Sequence, residues 1–298
     1  MSMPFISVVI GSFNQSDKLL KVLEGFNRQD VQFDFEVCIV DSGSQDQTHE
    51  MLATFEATFI LTYFIIENRG KAAARNYGVS KSSSDIIIVT DADMIPDPRF
   101  IQAHYEAHQK AKEDCVFQGC EYNLTHYHNP PLDSNLVSYI LPKPKDGALL
   151  GWYYFLTGNI SFSKKLFESE AGFDEYFENY GWEDLELGYR LVYMKKVPLR
   201  YLSGAINYHY HVVSKREEIS RCVKKGESAK LFINKHPKVR LFLGKHFLSK
   251  IGHFINCTWP IFSDVLSQKG IVSKHRWLRQ FSFWYLKEAA YWKGLYTC

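Results

Sequence analysis

The run Ile86-Ile-Ile-Val89 is β-branched at every position, so as a strand it is apolar on both faces and has to be covered on both. A strand of that kind belongs in the middle of a sheet with helices on either side. It runs directly into Asp91-Ala-Asp93. Residues i and i+2 of an extended segment point the same way, so the two carboxylates are expected to converge and to need a cation between them. Hard oxygen ligands suit Mg²⁺ or Mn²⁺, ions that bind through one or two protein carboxylates together with substrate phosphates. An Asp-rich turn into Pro96-Asp97-Pro98 would produce the same letters without any metal.

The chain before this strand repeats one pattern. A strand is predicted from Phe5 to Ile10, followed by the turn Gly11-Ser-Phe-Asn-Gln15 and a helix from Ser16 to about Asn27. A second strand, Phe35 to Val40, ends in Asp41-Ser-Gly-Ser-Gln-Asp46, with a helix from Thr48 to about Phe55. The third, Leu61 to Ile66, leads through Glu67-Asn68-Arg69 into a helical segment, Gly70 to Gly78. Strand–helix alternation reads as a parallel, doubly wound α/β sheet, whose ligands lie off the carboxyl ends of the strands. Asp41, Asp91 and Asp93 all fall at such ends. Within the third helix, Ala72, Ala73 and Ala74 allow close backbone approach, while Lys71 and Arg75 share one face that could meet a diphosphate. Two solvated surface cations would look the same in sequence.

Beyond Asp97 we expect a helix from Pro98 to Lys112 and a strand from Val116 to Tyr122, then a polar connection from His126 to Gly147 long enough to serve as an acceptor-binding insert. Trp152 to Phe162 reads as an aromatic strand broken by Gly158-Asn159, where a ligand could come close. Glu183, Asp184 and Glu186 fall in the first turn of a helix running to about Lys195, where the helix dipole stabilises carboxylates. Trp182 beside two carboxylates would also place a general base next to the flat face of a sugar. A strand from Arg200 to Ala205 precedes Asn207-Tyr-His-Tyr-His211, which sets two imidazoles on one strand face.

Composition narrows the partners. The 35 basic residues against 33 acidic ones leave a formal charge of only +2, which argues against a general nucleic-acid binder. The six cysteines include no Cys-x-x-Cys pair, and no basic, signal-like flank precedes the first apolar run, so reduced thiols in the cytoplasm are expected. The sequons at Asn123, Asn159 and Asn256 are then read as chance. No apolar run spans a bilayer. From about Arg216 the chain turns basic and aromatic, and His275 to Gly294 mixes Arg and Lys with Trp, which suits either a packed C-terminal helix or one lying at a membrane interface.

Four segments together carry a resemblance: Ser7-Val-Val-Ile10 with Ser12-Phe-Asn14, Val40 to Asp46, Asn68 to Gly78, and Asp91-Ala-Asp93. In order and spacing they resemble the inverting family 2 glycosyltransferases of GT-A fold, over about residues 5 to 215. Thr157-Gly-Asn159, Gly172-Phe-Asp174, Gly181-Trp-Glu-Asp184 and His209 look like the acceptor half of chondroitin-polymerase-like and galactosyltransferase-like members. The resemblance implies a nucleotide-sugar-binding half at 1–97, an acceptor-binding and catalytic half at 98–215 and a helical extension at 216–298. It implies a UDP-sugar donor, inversion at the anomeric carbon, and a glycan, lipid-linked or protein acceptor.

Carried over by position, Asp41 would contact uracil, Arg75 the nucleotide and Asp91 the ribose or metal. Ser12, Asn14, Asn68, Lys71 and Ala92 would complete the donor site. Asp93 and His209 would ligate Mn²⁺ or Mg²⁺, with His211 taking that place if the register shifts by two. Asp184 matches the general base, Glu183 is its neighbouring alternative, and Gly158, Asn159 and Trp182 would face the acceptor.

Two departures shape the expectation. The usual Asp-Asp-Gly-Ser is Asp41-Ser-Gly-Ser44, which leaves one acidic group for the base, and Ser273-Lys-His-Arg-Trp277 lacks the first residue of the processive Gln-x-x-Arg-Trp signature. One sugar per encounter is therefore expected, in bacterial-type polysaccharide or glycoconjugate synthesis, with a possible peripheral contact at the inner face of the membrane. Competing readings are a sugar-nucleotide pyrophosphorylase, disfavoured by the single glycine in Gly11 to Gln15, and a non-enzymatic glycan-binding scaffold, which would have no need of Glu183-Asp184.

Overall fold

The computed structural model describes residues 4–124, 143–178, 180–211, 214–239 and 272–296, with isolated positions at 254, 265 and 269. Most of the expected connection from His126 onward, residues 126–142, lies outside them. The chain falls into two compact units, residues 1–176 with 183–212, and residues 177–182 with 213–298.

The first unit is built on an eight-stranded sheet. Its first half is β1 (Ile6–Ser12), β2 (Phe35–Asp41), β3 (Ile60–Ile65) and β4 (Ile86–Asp91), interleaved with α1 (Ser16–Phe26), α2 (Thr48–Thr54) and α3 (Gly70–Lys81). Its second half is β5 (Met94–Pro96), α4 (Phe100–Lys110), β6 (Val116–Leu124), β7 (Ile160–Ser163), α5 (Lys164–Ser169), α6 (Glu183–Gly188) and β8 (Leu199–Tyr210). Strand order is β3-β2-β1-β4-β7-β6-β8-β5. β3, β2, β1 and β4 are parallel, β7 runs antiparallel to both β4 and β6, and β8 is again parallel to β6.

The pleat sorts the apolar runs to two faces. Val8, Ile10, Val37, Ile39 and Ile88 pack with Leu19, Leu23 and Phe26 of α1, whereas Val9, Ile87 and Val89 pack on the other face with Val79, Phe162 and Leu187. Alternation along β1 and β4 is the period-two signature of a strand covered twice. Each fully buried Val, Leu or Ile contributes about 1.5–3 kcal/mol of transfer free energy. α3 lies close on the sheet: a Cβ on Gly78 would lie 2.5 Å from Val9 Cγ1.

Two expectations about local structure are corrected, and a third, the helix from Glu183 to about Lys195, is found with a change of helix type. Trp152 to Phe162 is not a continuous strand: Trp152–Tyr154 forms a 3₁₀ turn and only Ile160–Ser163 is extended. Trp152 and Phe155 are buried while Tyr153 is exposed, a spacing of three that a 3₁₀ turn satisfies and a strand cannot. The helix starting at Glu183 stays α-helical only to Gly188 and continues as a π-helical turn, Tyr189–Met194. Arg190 is held there by Glu186 and by the carbonyls of Glu170 and Gly172. The two short strands expected after Pro198 are one, β8, whose register against β6 jumps between Gly119 and Cys120.

The second unit pairs α7 (Lys215–Lys235) with α8 (Arg276–Tyr296). Ser214 caps α7 by accepting from Glu217 N at 3.2 Å. The helices cross at two glycines: a Cβ on Gly226 would sit 2.1 Å from the Tyr291 carbonyl, and one on Gly294 would sit 1.9 Å from that of Val223. Ala229, Phe232, Leu286 and Ala289 fill the seam. Among the described residues, no helix is long and apolar enough to cross a membrane, and Cys38, Cys115, Cys120 and Cys222 are buried free thiols.

Candidate active site

Strand direction decides what meets at the carboxyl edge of the sheet. β4, β6 and β8 run the same way and β7 runs back, so the C-terminal ends of three strands and the residues just before β7 share that edge. Asp91, Glu121 and His209 sit late in their strands, and Gly158-Asn159 sits at the entry to the fourth. In open α/β sheets this edge is where ligands bind.

The two carboxylates at the end of β4 face different partners. β4 ends at Asp91, and Ala92 and Asp93 lie in a turn, so the extended geometry that would align i with i+2 is lost. Asp91 faces α3: its Oδ1 accepts from Arg75 Nη2 at 2.8 Å, and Lys71 Nζ is 3.4 Å from both oxygens. Those cations, against the opposing effect of burial, hold its carboxyl below the ordinary range.

Asp93 faces β8. Its Oδ2 lies 2.6 Å from His211 Nδ1 and 3.6 Å from His209 Nε2, and one ligand atom from each of these three residues falls within 4.8 Å of the others. β5 pairs with β8 at Met94↔His209, which pins the turn bearing Asp93 to the strand bearing the imidazoles. Their rings stack, 5.1 Å between centroids. Despite burial, hydrogen bonds from His209 and His211 hold the Asp93 carboxyl far below the usual range. One carboxylate and two imidazoles form a donor set that could hold a divalent cation. Lys18, 3.9 Å from Asp93 Oδ2, supplies positive charge to the same place.

α3 carries Arg75 into the protein and not onto its surface. The guanidinium is 1 % exposed, bridges Asp91 and Glu183 Oε1 at 2.8 Å each, and lies 5.6 Å from the centre of the Phe173 ring. Ala72 and Ala74 leave the helix close enough to the sheet for this reach. A cavity of about 490 Å³ lies on the far side of α3, lined by Ala73, Asn76, Tyr77, Ser80 and the Arg69–Glu175 ion pair. It contains none of the groups described above.

Glu183 and Asp184, adjacent at the start of α6, are separated by about 100° of helix rotation, and their surroundings differ accordingly. Glu183 is buried with one oxygen bound to Arg75 and the other without a partner. Asp184 is half-buried, and desolvation followed by the Glu183 charge pushes its carboxyl up to about 7. A carboxyl poised there is matched to taking a proton near neutral pH. Trp182 has φ of +77° and belongs to the second unit, where it stacks on Phe232 at 5.5 Å.

Several expected contacts are redirected. Asn159 is fully buried: its amide donates to the carbonyls of Cys120 and Ala205 and its oxygen meets His104 Nε2 at 3.0 Å, so its side chain ties strands together and cannot touch an acceptor. Asp41 has no exposed surface in this structure; Ser44 and His49 engage its oxygens, which fixes the loop after β2. Asn14, at φ +51°, accepts from Gln45 N and donates through its own N–H to Ser44 Oγ, so the loops after β1 and β2 are laced together. Ser12 is buried with its hydroxyl unpartnered, Ala92 is fully buried, and exposed Asn68 accepts from Gly70 N at the start of α3. Gly158 presents backbone, its carbonyl held by Thr90 Oγ1 at 2.7 Å and Asn207 Nδ2 at 3.1 Å.

Sequence reasoning missed Glu121, Lys18, His49, Thr90 and Asn207. Glu121 left a readable signal, a lone charge inside the apolar run Val116 to Tyr122. His49 and Lys18 left none, since only folding brings them to Asp41 and Asp93.

A family model, glycosyl transferase family 2, matches residues 7–171. Validoxylamine A glucosyltransferase of Streptomyces hygroscopicus is 30 % identical over 216 residues, covering 63 % of this chain and 51 % of its own length. Chondroitin synthase of Escherichia coli is 25 % identical over 266 residues, covering 78 % and 38 %. The chain thus spans about half or less of the length of these curated relatives. Among solved structures, the mannosyltransferase PcManGT from Pyrobaculum calidifontis, in complex with GDP-Man and Mn²⁺, matches with a TM-score of 0.59 at 16 % identity, over 99 % of this chain and 88 % of that one. S. aureus TarS in complex with UDP-GlcNAc matches at 0.56 and 14 %, over 97 % and 89 %. These likenesses show the fold, which is GT-A.

Proposed function

The chain belongs to glycosyl transferase family 2, and on that premise we propose that it is a metal-dependent inverting transferase. It moves a hexosyl group from a UDP-sugar to a hydroxyl on a glycan, lipid-linked or protein acceptor, one residue per encounter. The observation that carries this reading is Asp184, half-buried with its carboxyl near 7, in electrostatic reach of Arg75 and Asp91.

In this reading Lys71 and Arg75 set the charge of the donor site, and Asp91 is oriented by them toward the nucleotide. Asp93, His209 and His211 are the residues that would hold Mn²⁺ or Mg²⁺, which when bound supplies positive charge against the diphosphate. Asp184 accepts the acceptor's proton as its oxygen bonds to the anomeric carbon, and the bond to the diphosphate breaks with its electron pair leaving on UDP. Glu183, adjacent to it, stays bound to Arg75.

Incubation with a panel of UDP-sugars and GDP-mannose, in Mn²⁺ and in EDTA, tests the reading. A transferase releases UDP in a metal-dependent way. Synthesis of a UDP-sugar from UTP would make it a pyrophosphorylase, and no turnover with intact binding would make it a scaffold. Release of GDP alone would overturn the choice of nucleotide.

The second unit supports placing this transferase at an anionic membrane surface. Trp277, Phe281 and Trp284, spaced to one face of α8, are 67 %, 42 % and 56 % exposed. Next to them Lys215, Arg276 and Arg279 line a shallow cup with Phe283, and among the described residues none of the three has a carboxylate partner. Aromatic rings beside cations that no described carboxylate neutralises match a lipid headgroup region.

A further inference from the structure

β6 carries a carboxyl group that the reaction outlined above leaves without a task. Glu121 is 5 % exposed. Its Oε1 is 3.3 Å from Gln118 Nε2, a long contact with a neutral donor. The orientation of that amide is fixed, because Gln118 Oε1 accepts from Leu156 N at 2.8 Å. Among the described residues, Glu121 has no cationic partner, and its second oxygen has no hydrogen bond. Burying a carboxyl group on such terms is costly, and nothing in the packing of the sheet requires it.

Its position gives the reason. A Cβ on Gly158 would lie 2.9 Å from Glu121 Oε1, so the carboxyl group sits directly under the backbone that Thr90 and Asn207 clamp at the entry to β7. Glycine at 158 makes room for that carboxyl group and for Met94 Cε, which a Cβ would meet at 3.2 Å. Burial, and after it the charges of Asp91 and Asp184 with a smaller share from Asp93, push the Glu121 carboxyl up to about 8. It is therefore within electrostatic reach of both the donor-phosphate end, marked by Asp91 and Asp93, and the base. In an in-line displacement the ring being transferred lies between the leaving diphosphate and the attacking hydroxyl. In the sheet β6 lies between β7, whose entry bears Gly158, and β8, which bears His209, so Glu121 sits in the middle of the rim that this ring would span.

We propose that Glu121 is a specificity-determining residue, exchanging hydrogen bonds with hydroxyl groups of the transferred sugar. This rests on the transferase reading. A site built to hydrogen-bond a hydroxyl rejects the analogue that lacks or misplaces it, because its own buried polar group is then left unpaired.

The test compares wild type, Glu121→Gln and Glu121→Ala for binding of UDP, UDP-glucose, UDP-galactose and UDP-N-acetylglucosamine in Mn²⁺, and for kcat/KM with whichever of these turn over. UDP has no sugar and reports the fold and the phosphate site. Its affinity should stay within about twofold of wild type in both variants. Affinity and kcat/KM for the preferred UDP-sugar should fall about 10- to 100-fold in Glu121→Ala and less in Glu121→Gln, with the preference among sugars compressed. An unchanged preference ratio in Glu121→Ala overturns the proposal, as does a loss confined to the KM for acceptor, or an equal loss of UDP and UDP-sugar affinity in the isosteric Gln variant. Failure of wild type to release UDP from any of these donors strikes at the transferase reading, and leaves the Glu121 proposal to be decided by discrimination in binding alone.

Discussion

Arg75 is the residue whose removal the structure makes most consequential for stability. Replacing it with Met keeps much of the side chain's apolar volume and deletes both charge-assisted bonds, to Asp91 and to Glu183. The two acids differ in what they lose. Asp91 retains Lys71 and is a quarter exposed, so water and that cation recover part of the interaction. Glu183 is 5 % exposed with its other oxygen already unpartnered, so it would become a buried carboxylate with no counter-ion. Breaking one side of a buried pair costs about 3–5 kcal/mol, and we expect Arg75→Met to fall in that range, most of it from Glu183. At about 2–4 °C per kcal/mol for a unit of this size, Tm should drop by roughly 6–20 °C. Adding Glu183→Gln to Arg75→Met should return about half of the loss or more, because an unpaired amide is far less costly to bury than an unpaired charge.

The pH dependence has a sign. The Asp91 carboxyl is held below its unfolded value, so its contribution is present above about pH 4 and is lost as pH falls through the folded value. The deficit of Arg75→Met should therefore be full at pH 7.5, little changed at pH 4.5, and shrink only as pH falls below about 4, measured by urea and thermal unfolding of the single and double variants. A loss under about 1 kcal/mol at pH 7.5, or a double variant no more stable than the single, would refute the reasoning.

Asp184→Asn should lower kcat by about 10²–10⁴-fold, or about 3–5 kcal/mol, with UDP affinity retained; wild-type activity should rise through pH about 7 as the base ionises, and an unshifted profile in the variant would remove Asp184 from that role. Asp93→Ala should abolish the Mn²⁺-dependent part of UDP binding measured by titration calorimetry, and UDP affinity indifferent to EDTA in wild type would count against the Asp93–His209–His211 site. Charge reversal of Lys215, Arg276 and Arg279, or Ala in place of Trp277, Phe281 and Trp284, should cut co-sedimentation with phosphatidylglycerol vesicles several-fold while leaving UDP binding intact. Equal binding to neutral phosphatidylcholine vesicles, or conversion of a dimer to a monomer by the Ala variant, would point instead to a protein partner on that face.

The donor half was legible because its strands are β-branched runs and its loops begin where those runs stop. Asp91, Arg75, Lys71 and the histidines of β8 were all found as sequence features. What sequence could not supply was the direction in which each points. Asp91 and Asp93 are two residues apart, yet one turn at Ala92 sends the first to α3 and the second to β8. Asn159 stands in a motif that reads as a ligand contact, but the antiparallel insertion of β7 buries it against His104. Trp152 and Phe155 have the apolar content of a strand and the spacing of a turn. Glu121 was passed over because its meaning depends on the neighbouring strand ends of β4 and β7, which no local pattern encodes.

The reversed course of β7 has an effect on how such a chain can diversify. β6 delivers the polypeptide to the carboxyl edge of the sheet at Leu124, and β7 picks it up again from that same edge at Ile160. The chain between therefore leaves from and returns to the rim that carries Asp91, Glu121 and His209. The parallel strands β1 to β4, by contrast, must send each connection across to the opposite rim before the next can begin. The described part of this interval is itself structural, since Leu149 bridges Arg200 at the start of β8 and Trp152 and Phe155 are buried, so variation that keeps the sheet intact has to leave those residues in place.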